Sequence, residues 1–150
     1  MKVVLFRRNL VLNRVDAVNQ KELFDLAASK LLMEGYVKQT YLEGLTTRES
    51  KFPTGLKTKS IDVAIPHCDP EYIDKDGVLV VRPIKPIIFN EMVNPTNSVQ
   101  SRLIFFICST GGTEQLESLR QMMNIFKDDK FLATLYQAED MMPLLLSWKG

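Results

Sequence analysis

The chain has 150 residues, 45% hydrophobic and 25% charged, the composition of an ordinary globular protein, and its length reads as one domain over residues 1–150. Nineteen Lys and Arg against eighteen Asp and Glu leave a formal charge of +1, which gives no electrostatic reason for a nucleic-acid or anionic-membrane partner. One histidine and two cysteines with no CxxC leave almost nothing from which to build a zinc site, and the longest apolar run, Leu103–Cys108, is far short of the roughly 20 residues that span a bilayer. Met1 to Leu12 carries Lys2, Arg7 and Arg8 without a long apolar core and does not read as a signal peptide, so the expected compartment is the reducing cytoplasm.

In chain order, Leu10-Val11-Leu12 is β-prone and closes a strand begun near Val3. Asn19 with Glu22 three residues on resembles a capping box, and Leu23, Phe24, Ala27, Leu31 and Leu32 follow at helical spacing up to a stop at Gly35. A second helix is predicted from about Lys38 to Arg48, then a turn over Phe52-Pro53-Thr54-Gly55-Leu56. Strands are predicted at Ile61–Ile65, at Gly77–Arg82 up to Pro83, at the short edge piece Ile87–Phe89, and most strongly at Val99–Ile107. Beyond Gly111-Gly112, Leu116, Leu119, Met123 and Phe126 mark one helix face, with shorter helices around Phe131–Tyr136 and Glu139–Trp148. This order predicts an α/β or α+β sandwich with a mixed sheet, too uneven for a doubly wound parallel one. No GxGxxG or GxxxxGK[ST] is present, so a nucleotide-binding fold is not expected.

The only imidazole, His67, follows Ala64-Ile65-Pro66 where a strand passes into a Pro-bounded loop. Groups at strand ends are held by the sheet yet stay reachable, and Pro66 restricts the angle at which His67 departs. The residues alone also allow an ordinary, partly buried histidine capping the strand. Arg48 offers a planar fork of donors that matches phosphate oxygens, or else a solvated helix-end cation favoured by the macrodipole. Thr54 is either a turn residue or a hydroxyl donor. Cys68 adjoins His67, but neighbouring side chains point apart, which argues against a Cys–His dyad.

Together, Arg48-Glu49, Pro53-Thr54-Gly55-Leu56 and Val63-Ala64-Ile65-Pro66-His67 resemble the three-part pattern of the enzyme IIA component of the bacterial phosphoenolpyruvate:sugar phosphotransferase system. The branch is the fructose/mannitol superfamily. Phe52-Pro53-Thr54-Gly55-Leu56 and Asp69-Pro70-Glu71 lean toward its galactitol type. The resemblance implies an α/β three-layer sandwich, a mixed, mostly five-stranded sheet with helices on both faces. It implies that His67 accepts a phosphoryl group on its Nε2 (tele) nitrogen and that Arg48 helps hold the phosphoryl oxygens, with Thr54 as a further phosphate-stabilising residue. Related branches place a second histidine where this chain has Gln115, which can donate hydrogen bonds but never become cationic.

The implied reaction is a phosphoryl relay without metal or cofactor. Phosphate would pass from the phosphocarrier protein HPr to His67 and on to a cysteine of a cognate IIB protein, for uptake of a sugar or sugar alcohol by a IIC permease. An exposed apolar rim around His67 should serve both protein partners, and the absence of IIB or IIC segments implies a free-standing subunit that does not insert into the membrane itself. The alternative is a regulatory module whose His67 phosphorylation state controls a partner protein. A binding module that keeps the fold without phosphorylation is a further rival.

Overall fold

The computed structural model describes residues 6–148. Among them run β1 (Phe6–Val15), α1 (Gln20–Met33), α2 (Tyr41–Lys51), β2 (Gly55–Leu56), β3 (Asp62–Ala64), β4 (Gly77–Pro83), β5 (Ile87–Asn90), β6 (Ser98–Cys108), α3 (Thr113–Lys127), α4 (Asp129–Gln137) and α5 (Met142–Ser147). The sheet runs in the order β1-β4-β6-β3-β2, with β5 paired to β6. Pairs β1–β4 and β3–β6 are parallel, whereas β4–β6, β5–β6 and β2–β3 are antiparallel. The mixed sheet is the expected one, with six strands where mostly five were predicted. The additional strand is β2, whose two residues were read as a turn. They are extended because Gly55 and Leu56 pair with Ala64 and Val63.

The layers follow from alternation along the central strands. In β6, Ile104, Phe106 and Cys108 face the core beneath α1 and α2, while Leu103, Phe105 and Ile107 face α3, α4 and α5. Leu79 and Val81 of β4 join the first core, and Val78 and Val80 the second. Helices cover both faces, so the middle of the sheet reads as unbroken apolar runs. Asn19 caps α1 by accepting the Glu22 N–H at 2.9 Å, and Glu22 reaches back to the Val18 N–H at 3.2 Å. Phe24 meets Phe106 edge-on with ring centroids 5.7 Å apart. Phe106 is fully buried, so Phe106→Ala should lower stability by about 3–5 kcal/mol, measured as a lower urea midpoint at constant m-value. Leu116→Ala on the exposed start of α3 should stay within about 0.5 kcal/mol of the parent.

Several expectations shift in register. The proposed strand start near Val3 lies outside the described residues. At its other end β1 continues beyond Leu12 to Val15 through an irregularity at Arg14, whose φ is +56°. Helix α2 begins three residues later than Lys38, because Val37 is bridged to Ile73 and the Lys38 N–H extends that pairing to the Tyr72 carbonyl at 3.0 Å. It also runs past Arg48, ending just before Pro53. Leu116 is 71% exposed and does not belong to the buried face of α3, which Met122, Ile125 and Phe126 carry with Leu119 and Met123 packed beside them.

Candidate functional site

Strand β3 lies parallel to the middle of β6, and the chain leaves it through Ile65-Pro66-His67. The Ile107 N–H donates to the Pro66 carbonyl at 3.0 Å, so the loop remains tied to β6 up to the residue before the histidine. The half-buried His67 places Nδ1 2.7 Å from the Ile65 carbonyl oxygen. A carbonyl only accepts, so the ring proton sits on Nδ1 and the neutral ring keeps its lone pair on Nε2. Burial is the main cause holding the His67 pKa below its usual value; the Ile65 bond and Asp69 oppose this, and Arg48 adds to it. The result is a neutral, oriented imidazole whose Nε2 lone pair is free near pH 7.

Arg48 approaches from the last turn of α2. Its Nη1 donates to Asp69 Oδ1 at 3.2 Å, and its guanidinium carbon lies 4.8 Å from the centroid of the exposed Phe52 ring. The Asp69 side chain is 60% exposed, so this ion pair is weak and easily exchanged for another anion. The Nε atom of Arg48 is buried without a hydrogen-bond partner among the described residues. A stacked guanidinium with donors to spare, beside a neutral imidazole, can hold the oxygens of a tetrahedral anion at that imidazole.

Behind it, Glu49 is 4% exposed and its two carboxylate oxygens accept the Thr54 backbone N–H and hydroxyl, both at 2.8 Å. Burial raises the Glu49 pKa to about 7, against the opposing effects of the Thr54 bonds and Arg48. Thr54, expected among the phosphate-stabilising residues, is 2% exposed and its hydroxyl proton is committed to Glu49. Cys68 points into the core under α1 and α2, and burial pushes its thiol up to about 12, which leaves no thiolate for a Cys–His dyad.

Gln115 stands half-buried in the first turn of α3. The connection from β6 passes the His67 loop at Gly111, where an added Cβ would lie 3.4 Å from the Pro70 ring. Gly111 and Gly112 have φ values of +111° and +85°, which side-chain-bearing residues seldom adopt. The structure therefore brings Arg48, Asp69 and His67 together, sets Thr54 behind them, and puts Gln115 in the first turn of the helix that the adjoining connection leads into. Two contributors were not singled out from the residues: Asp69 as the partner of Arg48, and Glu49 as a buried acceptor. The available signal for Glu49 was a carboxylate and a hydroxyl on either side of the helix-ending Pro53. Among the described residues no three His, Cys, Asp or Glu side chains cluster as metal ligands, and no helix is long and apolar enough to cross a membrane.

Residues 4–145 match the family described as "Phosphoenolpyruvate-dependent sugar phosphotransferase system, EIIA 2". The galactitol-specific EIIA component of Escherichia coli K12 is 25% identical over 121 residues, covering 81% of this chain and 80% of that protein. The fold is shared with enzyme IIAMTL of Escherichia coli, in its complex with phosphorylated enzyme IIBMTL, at a TM-score of 0.76 and 22% identity, covering 96% of this chain and 100% of the other. It is shared too with nitrogen regulatory protein IIA-Ntr of Neisseria meningitidis, at a TM-score of 0.76 and 21% identity over 93% of each chain.

Proposed function

The chain belongs to the EIIA 2 family of the phosphoenolpyruvate-dependent sugar phosphotransferase system, and on that premise we propose that it is a single-domain cytoplasmic phosphoryl carrier in which His67 takes phosphate from phosphorylated HPr and gives it to a cysteine of a cognate IIB protein. The observation that carries this reading is the His67 Nδ1 contact to the Ile65 carbonyl at 2.7 Å, because it leaves Nε2 as the nucleophile. In the forward step the Nε2 lone pair forms the new N–P bond as the bond from phosphorus to the donor imidazole breaks. The electron pair of that bond leaves with the donor. His67 keeps its Nδ1 proton and becomes cationic, so its bond to Ile65 becomes charge-assisted as the charge develops. Positioning and oxygen-binding donors do the rest, and no general base is required.

Arg48 is the principal donor in this proposal. Its ion pair with Asp69, whose side chain is 60% exposed, can open as the phosphoryl group arrives. The exposed Phe52, Met92 and Val93 support an apolar docking rim, since the Met92 N–H bonds the Gly55 carbonyl at 2.8 Å and so holds this loop beside β2. The IIB partner is supported by the structural neighbour solved with its phosphorylated IIB protein. A galactitol-like substrate and a transport role, rather than a regulatory one, are supported by the galactitol-specific relative.

The test is incubation with phosphoenolpyruvate, enzyme I, HPr and candidate IIB proteins, following phosphate from one to the next. Phosphate should reach this chain and leave it for one IIB protein; failure to accept from phosphorylated HPr would overturn the proposal. Gln115→Ala should slow acceptance a few-fold to tenfold, the effect of one neutral hydrogen bond of about 0.5–1.5 kcal/mol. Glutamine does not titrate, so that variant should lower the rate without moving its pH profile. Burial holds the His67 pKa below its ordinary value, so loss of rate through protonation of Nε2 should set in only on the acid side of that value, whereas Glu49, raised to about 7, titrates through neutral pH.

A further inference from the structure

A continuous run of hydrogen bonds leads from a buried carboxylate to the imidazole. Glu49 Oε2 and Oε1 accept the Thr54 N–H and hydroxyl, each at 2.8 Å. The Thr54 carbonyl accepts the Ile65 N–H at 3.2 Å, and the Ile65 carbonyl in turn meets His67 Nδ1 at 2.7 Å. Thr54 immediately precedes β2, Ile65 immediately follows β3, and Gly55 pairs with Ala64 between them. Gly55 has no room for a side chain: an added Cβ would lie 2.6 Å from the Asn90 carbonyl oxygen. Ile65 is thus held on both sides of its Cα, by Thr54 through the N–H of one peptide and by His67 through the carbonyl of the next.

We propose that Glu49 is a positioning residue for His67, acting through the backbone of Thr54 and Ile65 to keep the imidazole in the Nδ1–H tautomer. The need for such a device is chemical. An unrestrained neutral histidine favours the opposite tautomer, with the proton on Nε2, and in that form the outward nitrogen has no lone pair to offer. The tautomer is set by the bond the other nitrogen makes, and here that bond depends on where the Ile65 carbonyl points. A carboxylate suits the role because both of its oxygens accept, one from a backbone N–H and one from a hydroxyl. Buried and, among the described residues, hydrogen-bonded to Thr54, Glu49 spends these bonds on geometry and leaves the phosphoryl oxygens to Arg48.

The inference rests on the reading that His67 takes the phosphoryl group, but its first measurement needs no donor protein. The ¹⁵N shifts of the His67 ring nitrogens in the full chain, above the imidazole pKa, report the tautomer directly. The parent should be almost wholly Nδ1–H. Glu49→Ala should populate the Nε2–H form, and Thr54→Val, which keeps shape and backbone N–H but loses the hydroxyl, should do so to a smaller extent. Thr54→Ser should restore the parent spectrum. Acceptance of phosphate from phosphorylated HPr should fall roughly tenfold to a hundredfold in Glu49→Ala, as for a misplaced nucleophile. If Glu49→Ala does not fold, Thr54→Val with its Thr54→Ser rescue decides. Unchanged ring shifts in whichever variant folds would overturn the inference. A parent protein that shows the Nδ1–H tautomer but takes no phosphate would overturn the proposed function while leaving this positioning intact.

Discussion

His67→Ala should take up no phosphate from phosphorylated HPr, whereas the parent chain should carry an acid-labile, base-stable phosphoramidate. The expected loss is complete because the chain has one histidine, so no second imidazole can take over. The adjoining Cys68 offers no substitute, since its thiol is buried and pushed up to about 12, leaving a negligible thiolate fraction at neutral pH. Truncation should leave the fold in place: His67 is half-buried, its side chain makes one bond to a backbone carbonyl, and it belongs to neither apolar core. Phosphate uptake at the parental level by folded His67→Ala protein would place the acceptor elsewhere and remove the site as described. A circular dichroism spectrum and urea midpoint matching the parent would ensure that the loss belongs to the chemistry.

The parts of this fold that were legible in the sequence are those where local signals and tertiary packing agree. The Asn19 cap, the α1 spacing and the apolar run of β6 each point to one structure, and each forms. The segment before β3 was harder. Gly55 and Leu56 are extended only because Ala64 and Val63 lie opposite, a pairing between residues that a local reading treats as a turn and a separate strand. Likewise α2 starts late because Val37 pairs with Ile73, far along the chain, and Lys38 is drawn into that bridge. Leu116 has helical spacing with Leu119, but the first turn of α3 stands clear of the core, so periodicity named one residue too many.

At the site, the position of His67 just beyond a strand was readable, since Pro66 and the β-prone run before it mark the exit. The location of the proton was also inferable in outline: an imidazole that attacks through one nitrogen must keep its proton on the other, and Ile65 supplies the acceptor. The division of labour between Arg48 and Glu49 was not readable. These adjacent residues of one helix turn point to different surroundings: Arg48 to Asp69 and the exposed Phe52 ring, Glu49 into the fold toward Thr54. Which way each faces depends on where α2 meets β2, and that is a tertiary fact. The same fact turns Thr54 from an expected phosphate contact into the inward-facing partner of Glu49.

Arg48→Lys is the second large effect, a fall in the single-turnover rate of phosphoryl acceptance of roughly tenfold to a hundredfold, the scale of one lost transition-state donor. Lysine retains the positive charge, so a site that needed only a cation would keep most of its rate. What it loses is the planar fork and, with it, the Nε donor that is buried without a partner among the described residues. It also loses the flat face that packs against Phe52 with its guanidinium carbon 4.8 Å from the ring centroid, the contact that fixes the plane of the donors. Because Gln115 cannot become cationic, no neighbouring imidazolium can make up the difference. Stability should change little, since lysine keeps the charge and the Asp69 side chain that pairs with it is 60% exposed. Asp69→Asn supplies the companion measurement. It frees Arg48 from its carboxylate, so the guanidinium should meet the phosphoryl group without first exchanging partners, and acceptance should hold or rise. A parental rate in Arg48→Lys would reduce Arg48 to a charged helix end, while a loss in Asp69→Asn as deep as that in Arg48→Lys would mean that the ion pair itself orients the fork.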